Sequence, residues 1–155
     1  MTMTIADHLA ELGIALPAPA APVAAYAATV EAGGLLHVSG QLPFVEGALM
    51  TGRLGEDRDL AYGTRAARAC GLMLLAQAQA ALGSLDRVAR VVKLGVFVSS
   101  ASGFTDQPKA ANGASELMVE VFGDRGRHAR SAVGVPVLPL GAVVEIDAIF
   151  AIGPA

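Results

Sequence analysis

The sequence has few of the residues that build disulfides, metal sites and aromatic cores. Its 155 residues include one cysteine, Cys70, and no tryptophan, and aromatic residues make up 5%. One cysteine excludes an intramolecular disulfide framework. The histidines, His8, His37 and His128, are far apart, and no Cys or His pair has metal-ligand spacing, so we expect no metal site. No glycine-rich phosphate loop is followed by a lysine, and the sequence predicts no cofactor.

Basic residues are missing from the first third of the chain. None precedes Arg53, and all eleven lie between Arg53 and Arg130. Because secretory and organellar targeting segments need early basic residues, we expect a cytoplasmic protein. The formal net charge of −3 argues against a nucleic-acid binder. No apolar run suits a bilayer, since residues 131–144 are uncharged but interrupted by prolines and a glycine.

What the chain has in abundance is apolar surface. Hydrophobic residues make up 54% of it and charged residues 16%, which predicts one ordered domain with one core. Much of the apolar content is alanine, so the elements must pack closely. Cys70 lies in an alanine-rich segment and is interpreted as core filler. Such high apolarity in a small chain also indicates an oligomer.

The N-terminal segment reads as a helix followed by a stiff connector. Thr4 and Asp7 have the spacing of a capping box, and Ile5, Leu9 and Leu12 recur at helical spacing. Residues 17–22 are rich in proline and alanine and predict an extended connector. We therefore divide the chain into residues 1–23, the helix and connector, and residues 24–155, the main domain.

The main domain alternates strand and helix patterns. Strands are expected at residues 26–31, 35–39, 47–51, 88–99, 131–135 and 143–152. Helices are expected from about residue 57 to Leu82, ending at Gly83, and over residues 104–122; Ala66, Cys70, Met73 and Ala80 share one face of the first. Branched apolar residues on both faces of 88–99 predict a strand covered on both sides. The fold class is therefore α+β, with two helices on one face of a sheet.

Arg130 and Glu145 are the candidate chemical residues. Arg130 begins a strand, and its planar guanidinium suits a carboxylate. Glu145 lies among apolar residues, where the pKa of a carboxyl rises and favours proton transfer. From these features alone, a structural ion pair or two side chains that face water is the better interpretation.

Motifs at both ends of the domain resemble the RidA (YjgF) family. The C-terminal motif has the family's separation of Arg and Glu, and the early motif combines a tyrosine with a Ser-Gly-Gln-hydrophobe-Pro turn. Asn112 falls near the family's asparagine. The matching residues are Tyr26, Val38-Ser39-Gly40-Gln41-Leu42-Pro43, Arg130-Ser131-Ala132-Val133, Leu138-Pro139 and Val144-Glu145-Ile146-Asp147-Ala148-Ile149. The resemblance covers residues 24–152.

This resemblance implies a chorismate-mutase-like fold, a homotrimer with clefts between subunits, and hydrolysis of 2-enamines and 2-imines to 2-keto acids and ammonia. Arg130 would bind the substrate carboxylate. Glu145 and a main-chain carbonyl near Ala132 would position and activate water, and Tyr26, Ser39 and Asn112 would line the pocket. No metal or organic cofactor is needed, since an imine carbon is already electrophilic.

Three departures from the family pattern mark a divergent branch. Ala132 stands where many members carry cysteine, His128 lies where a small residue or proline is usual, and Pro136 is unusual. An aminomuconate-type deaminase and a non-catalytic ligand-binding or interaction module remain alternatives, the second favoured if Arg127 or His128 seals the pocket. Ribonuclease activity is less favoured, because the chain is acidic and has no plausible acid–base histidine pair.

Overall fold

The computed structural model describes residues 2–22 and 24–155, and the predicted boundary at Val23 lies outside them. Its helices are α1 (Ile5–Glu11), α2 (Leu60–Leu82) and α3 (Gln107–Phe122). Its strands are β1 (Thr29–Ala32), β2 (Leu35–Gln41), β3 (Phe44–Val45), β4 (Ala48–Leu49), β5 (Val88–Ser99), β6 (Ala129–Val135) and β7 (Val144–Ile152). No helix among these residues is long and apolar enough to cross a membrane.

Five strands form one mixed sheet in the order β1-β2-β7-β5-β6. Strands β5 and β6 run parallel, with α3 as their crossover, and the other neighbours are antiparallel. Strands β3 and β4 form a separate hairpin. The predicted α+β class, with a mixed sheet and two helices on one face, is confirmed.

Helices α2 and α3 pack against each other and cover one sheet face. Asp59 caps α2 by accepting a hydrogen bond from the Tyr62 amide, and Gly83 ends the helix at φ 79°. Cys70 is fully buried, as predicted. The predicted apolar face of α2 included Ala80, which is exposed, so the prediction was wrong at this residue. The buried surface of α2 is also wider than the predicted face. Because α2 lies between the sheet and α3, nearly all of its middle is buried.

The N-terminal segment packs onto the domain. The capping box of Thr4 and Asp7 is present, and Ile5 and Leu9 are buried. His8 Nε2 lies 2.8 Å from the carbonyl oxygen of Glu120 in α3. The buried Gln77 side chain donates a 2.6 Å hydrogen bond to the carbonyl of Ala20, which fixes the connector on α2.

Several element boundaries differ from the predicted ones. Strand β1 begins only at Thr29, so Tyr26 lies in a bend before it. The predicted strand at residues 47–51 is half of the β3–β4 hairpin, which turns at Glu46 and Gly47 with positive φ. Helix α3 begins at Gln107 rather than residue 104, because proline favours the first turn of a helix and Pro108 fixes its start.

One sheet face is left uncovered by the residues that the structure describes. Strand β5 was expected to be covered on both sides, and that is wrong for the single chain. Its helix-facing residues are buried, whereas Lys93 on the other face is exposed and Gly95 and Phe97 are only partly buried. On the same open face, Val133 of the edge strand β6 is 46% exposed. An open sheet face that exposes valine and phenylalanine side chains is typical of an interface.

Candidate functional site

Arg130 lies in β6 opposite Leu94 of β5, and its side chain points toward α3. Its Nη1 donates to Oδ1 of Asn112 at 2.9 Å and to Oγ of Ser115 at 3.0 Å. Its Nη2 donates to the carbonyl oxygen of Pro108 at 3.0 Å. Three acceptors from one helix therefore hold the guanidinium in a fixed orientation.

These contacts leave part of the Arg130 fork free for a ligand. A guanidinium carries five N–H donors, of which Nη1 has two, Nη2 two and Nε one. Among the residues that the structure describes, Asn112 and Ser115 take the two of Nη1, and Pro108 takes one of Nη2. The Nε–H and one Nη2–H remain, which is the number that a bidentate carboxylate accepts.

His128 extends this network through Ser115. Its Nε2 lies 2.9 Å from Ser115 Oγ, and its Nδ1 lies 2.6 Å from the carbonyl oxygen of Gly126. Because a carbonyl only accepts hydrogen bonds, Nδ1 must carry a proton. A neutral ring then accepts at Nε2 from the Ser115 hydroxyl. Burial lowers the pKa of His128, and the adjacent Arg130 lowers it further, while the bond to Gly126 opposes them.

A cleft of about 520 Å³ opens over this network. Its walls combine cationic, carboxylate and apolar side chains from α3 and from the chain leading into β6. They are Asn112, Ser115, Glu116, Val119, Glu120, Arg127, His128 and Arg130. Arg127 and His128 line the cleft without closing it, so the sealed pocket that would favour a non-catalytic module is not found among the described residues.

Glu145 lies elsewhere, on the uncovered face of the sheet. It alternates in β7 with the fully buried Val144 and Ile146, so its side chain points away from the helices. A Cβ atom added to Gly40 would lie 2.5 Å from Glu145 Oε1, which shows how closely the carboxylate approaches the β2 backbone. Burial raises the pKa of Glu145, and the neighbouring Asp147 raises it further.

The remaining predicted residues divide between these two places. Tyr26 and Gly40 border one small cavity, and Ser39 Oγ donates to the carbonyl of Ala27 at 2.7 Å, so these residues lie at the Glu145 side of the fold. Ala132 lies two residues beyond Arg130 in β6, opposite Val96, and packs against the core.

The structure therefore brings Asn112 to Arg130 but does not bring Arg130 to Glu145. Strand β5 separates β6 from β7, which places their strands about 10 Å apart. In the register of the sheet, Arg130 pairs with Leu94 and Glu145 pairs with Phe97. The side chains of Arg130 and Glu145 point to opposite faces of the sheet. The alternative of an ion pair between them is also not found within the chain.

Sequence reasoning missed Ser115 and the carbonyl of Pro108. A signal for Ser115 existed, since it follows Asn112 by three residues, and residues at that spacing share one helix face. His128 was noticed only as a departure from a family pattern. Its contact with Ser115 joins α3 to the segment before β6, and no local pattern encodes it.

Comparison with known proteins places this chain in a family. Residues 6–151 match the family model described as "YjgF/chorismate mutase-like, putative endoribonuclease". The chain is 56% identical over 147 residues to Protein TCP17 of Trypanosoma cruzi, covering 94% of this chain and 92% of that protein.

Two solved structures illustrate the range of similarity. Protein Atu1372 of Agrobacterium tumefaciens is 47% identical, with a TM-score of 0.89 over 96% of this chain and 92% of that one. RidA of the Antarctic bacterium Psychrobacter sp. PAMC 21119 is 32% identical, with a TM-score of 0.59 over 87% of this chain and 94% of that one.

Proposed function

The chain belongs to the YjgF (RidA) family, and on that premise we propose that it hydrolyses 2-imino and 2-enamino carboxylates to 2-keto acids and ammonia. Water adds to the electrophilic carbon of the imine, and the resulting carbinolamine expels ammonia as the carbonyl forms. Both steps need positioning and proton transfer, which side chains supply.

The observation that carries the proposal is the fixed orientation of the Arg130 guanidinium. Asn112, Ser115 and Pro108 hold its guanidinium, and two N–H donors remain beside an open cleft. A guanidinium fixed in advance binds a carboxylate without the loss of side-chain freedom that a mobile arginine would suffer. We propose that Arg130 binds the carboxylate and that Asn112 orients Arg130.

In this proposal, a second copy of the chain supplies Glu145. Its raised pKa suits a base that accepts a proton from water. Since the Arg130 and Glu145 of one chain leave opposite sheet faces, we propose that Glu145 of a neighbouring subunit completes the site, in the homotrimer that the family resemblance implies. Tyr26 and Ser39 would line the cleft from that neighbour, and the Ala132 carbonyl would help to hold the water. The uncovered sheet face, on which Phe97 and Val133 are exposed or partly exposed, supports such an assembly.

The test is release of 2-keto acid and ammonia from imines generated in situ by an amino-acid oxidase. We expect the native protein to accelerate hydrolysis over the spontaneous rate. Arg130→Ala should lose most of this acceleration, and Arg130→Lys should recover little of it, because lysine keeps the charge but lacks the fork. No acceleration by folded native protein with any amino-acid-derived imine would reject the proposal for these substrates, and aminomuconate-type compounds would be assayed next.

One observation favours a second candidate, a ligand-binding module without turnover. Within one chain the Arg130 cleft has no contact with Glu145, so a monomer or a differently assembled oligomer would bind carboxylates without the proposed base. Tight binding of a 2-keto acid with no imine turnover would select this candidate. For ribonuclease activity the support is weaker, because Glu116 and Glu120 line the same cleft as Arg127 and Arg130 and oppose phosphate binding.

A further inference from the structure

Two carboxylates of β7 lie over glycines of the neighbouring strands on the uncovered sheet face. Glu145 lies over Gly40 of β2, and Asp147 lies over Gly95 of β5. We propose that Gly40 is a positioning residue for the reaction, because the absence of a side chain there leaves the space that the Glu145 carboxylate occupies. This inference rests on the proposed function, in which Glu145 is the base.

Glu145 fills the space above Gly40. A Cβ atom added to Gly40 would lie 2.5 Å from Oε1, 2.9 Å from Cδ and 3.1 Å from Cγ of Glu145, and these are the three nearest atoms beyond its chain neighbours. Atoms that are not bonded to each other pack at about 3.5–4.0 Å, so an alanine at this position would displace the carboxylate oxygen by about 1 Å. The observed position of the carboxylate is therefore incompatible with a side chain at residue 40.

Backbone conformation gives no second reason for glycine at this position. The φ angle of Gly40 is not positive, so a residue with a side chain can adopt the same backbone conformation. Glycine inside a strand weakens the strand, and it often marks a place where another group approaches the backbone closely. In β2 that group is the carboxylate of Glu145.

A β-bulge brings Gly40 beneath this carboxylate. Val38 pairs with Ala148 and Gln41 pairs with Ile146, so β2 has one more residue than β7 between these two pairs. An extra residue bends the strand and changes the direction of nearby side chains, and bulges are frequent beside active sites. Gly40 lies within this bulge, in the stretch of β2 that passes the carboxylate.

Buried polar side chains hold the bulge in place. Gln41 Nε2 donates to the carbonyl oxygen of Ser39 at 3.0 Å, and Gln77 Nε2 of α2 donates to Gln41 Oε1 at 3.3 Å. Ser39 Oγ donates in turn to the carbonyl oxygen of Ala27 at 2.7 Å. Because Gln41 and Gln77 are buried and hydrogen-bonded, they make this part of β2 rigid. The backbone against which Glu145 lies is therefore fixed before a substrate binds.

A fixed carboxylate is what proton transfer from water requires. A general base must lie within hydrogen-bond reach of the proton that it removes, and a misplacement of about 1 Å lowers a rate by as much as roughly 100-fold. The Gly40 backbone limits the rotamers that Glu145 can adopt and so keeps the carboxylate in one place. Gly40 acts through Glu145 and needs no contact with the substrate.

Gly95 provides a matched control on the same sheet face. A Cβ atom added to Gly95 would lie 2.4 Å from Oδ1 of Asp147, and the φ angle of Gly95 is also not positive. An alanine at either position thus displaces one carboxylate by a similar overlap. The proposed reaction assigns no proton transfer to Asp147, so the pair separates positioning of the base from a general disturbance of this face.

The experiment measures imine hydrolysis by the full-length protein with Gly40→Ala and Gly95→Ala. We expect Gly40→Ala to lower kcat roughly 100-fold with KM within about threefold of native, because Arg130 still binds the carboxylate of the substrate. Gly95→Ala should keep kcat within about threefold of native. Both variants should elute with native protein in size-exclusion chromatography, since each added methyl group meets the end of a flexible side chain.

A double-mutant cycle shows whether Gly40 acts through Glu145. Glu145→Gln alone removes the base, and adding Gly40→Ala to it should change kcat by less than about twofold. If Gly40→Ala instead lowers kcat equally in both backgrounds, the positioning role is overturned. Native kcat in Gly40→Ala, or an equal loss in Gly95→Ala, would overturn it as well.

Thermal unfolding tests the same pair without activity. Gly40→Ala should lower Tm more in the native background than in the Glu145→Ala background, where no carboxylate fills the space. An equal change in both backgrounds, or failure of Gly40→Ala to fold in both, would overturn the inference while leaving the deaminase proposal intact. Inactive native protein would overturn the deaminase proposal and the role of Gly40 in turnover, and the Tm comparison would still show whether Gly40 and Glu145 are coupled.

Discussion

Arg130 and Glu145 lie in strands separated by β5, and their side chains leave opposite faces of the sheet. Asn112 and Ser115 hold Arg130 on the helix-covered face. Glu145 lies against Gly40 on the uncovered face. The two residues therefore belong to one site only if two copies of the chain meet there.

This relationship predicts complementation between two inactive variants. Arg130→Ala and Glu145→Gln should each be inactive as homo-oligomers. After denaturation and refolding of a 1:1 mixture, a mixed trimer has one site that combines an intact Arg130 with an intact Glu145. Random association makes three quarters of the trimers mixed, so about a quarter of native activity is expected. Activity that stays at the level of the separate variants, in trimers shown to be mixed, would contradict a site shared between subunits.

Asn112 should affect substrate binding more than turnover. Asn112→Ala removes one of the three acceptors that hold Arg130. A hydrogen bond to a charged group contributes about 1.5–3 kcal/mol, and two acceptors remain, so we expect the low end, roughly a tenfold increase in KM.

Asn112→Asp is the matched test, since its carboxylate would hold the guanidinium while neutralising its charge. It should weaken substrate binding more than Asn112→Ala does. Steady-state kinetics of both variants measures the difference, and an unchanged KM in both would show that Asn112 does not orient Arg130.

Glu145 should make the protein less stable as pH rises. Its pKa in the folded protein is raised by burial and by Asp147. The stability associated with its protonated form is present below the unfolded pKa and is lost as pH rises through the raised folded pKa. Glu145→Gln removes this titration and should raise Tm at neutral pH relative to native protein, with little change at acidic pH. Thermal unfolding at several pH values tests this, and a lower Tm for the variant at neutral pH would contradict it.

The crossing of α2 and α3 depends on Gly113. A Cβ atom added there would overlap the carbonyl oxygen of Thr64, a backbone atom of α2 that cannot turn aside. Gly113→Ala should therefore destabilise the protein by about 1–3 kcal/mol. Gly103→Ala is the matched control, since nothing lies within 4 Å of its added Cβ, and it should change stability by less than about 0.5 kcal/mol. Denaturant unfolding of both variants measures the difference.

Local chemistry in the sequence determined the family and most of the elements. The capping box of Thr4 and Asp7 and the Gly83 terminus are interactions between near neighbours, so their spacing predicts them. The motifs around Ser39 and Arg130 identified the YjgF (RidA) family, which the family match confirms. The predictions for the start of β1 and for the burial of Ala80 failed, because both depend on neighbours that are distant in sequence.

Only the tertiary structure decided which side chains lie on which face of the sheet. Spacing shows that Arg130 and Glu145 are in strands, but not that β5 separates these strands or that α3 covers only one side. Likewise, Ser115 reaches His128 because the crossover helix lies over β6, and Gly126 fixes the histidine ring from the preceding turn. These contacts depend on strand order and on which face each side chain takes. Both follow from packing of the whole chain, since local propensity acts only between near neighbours.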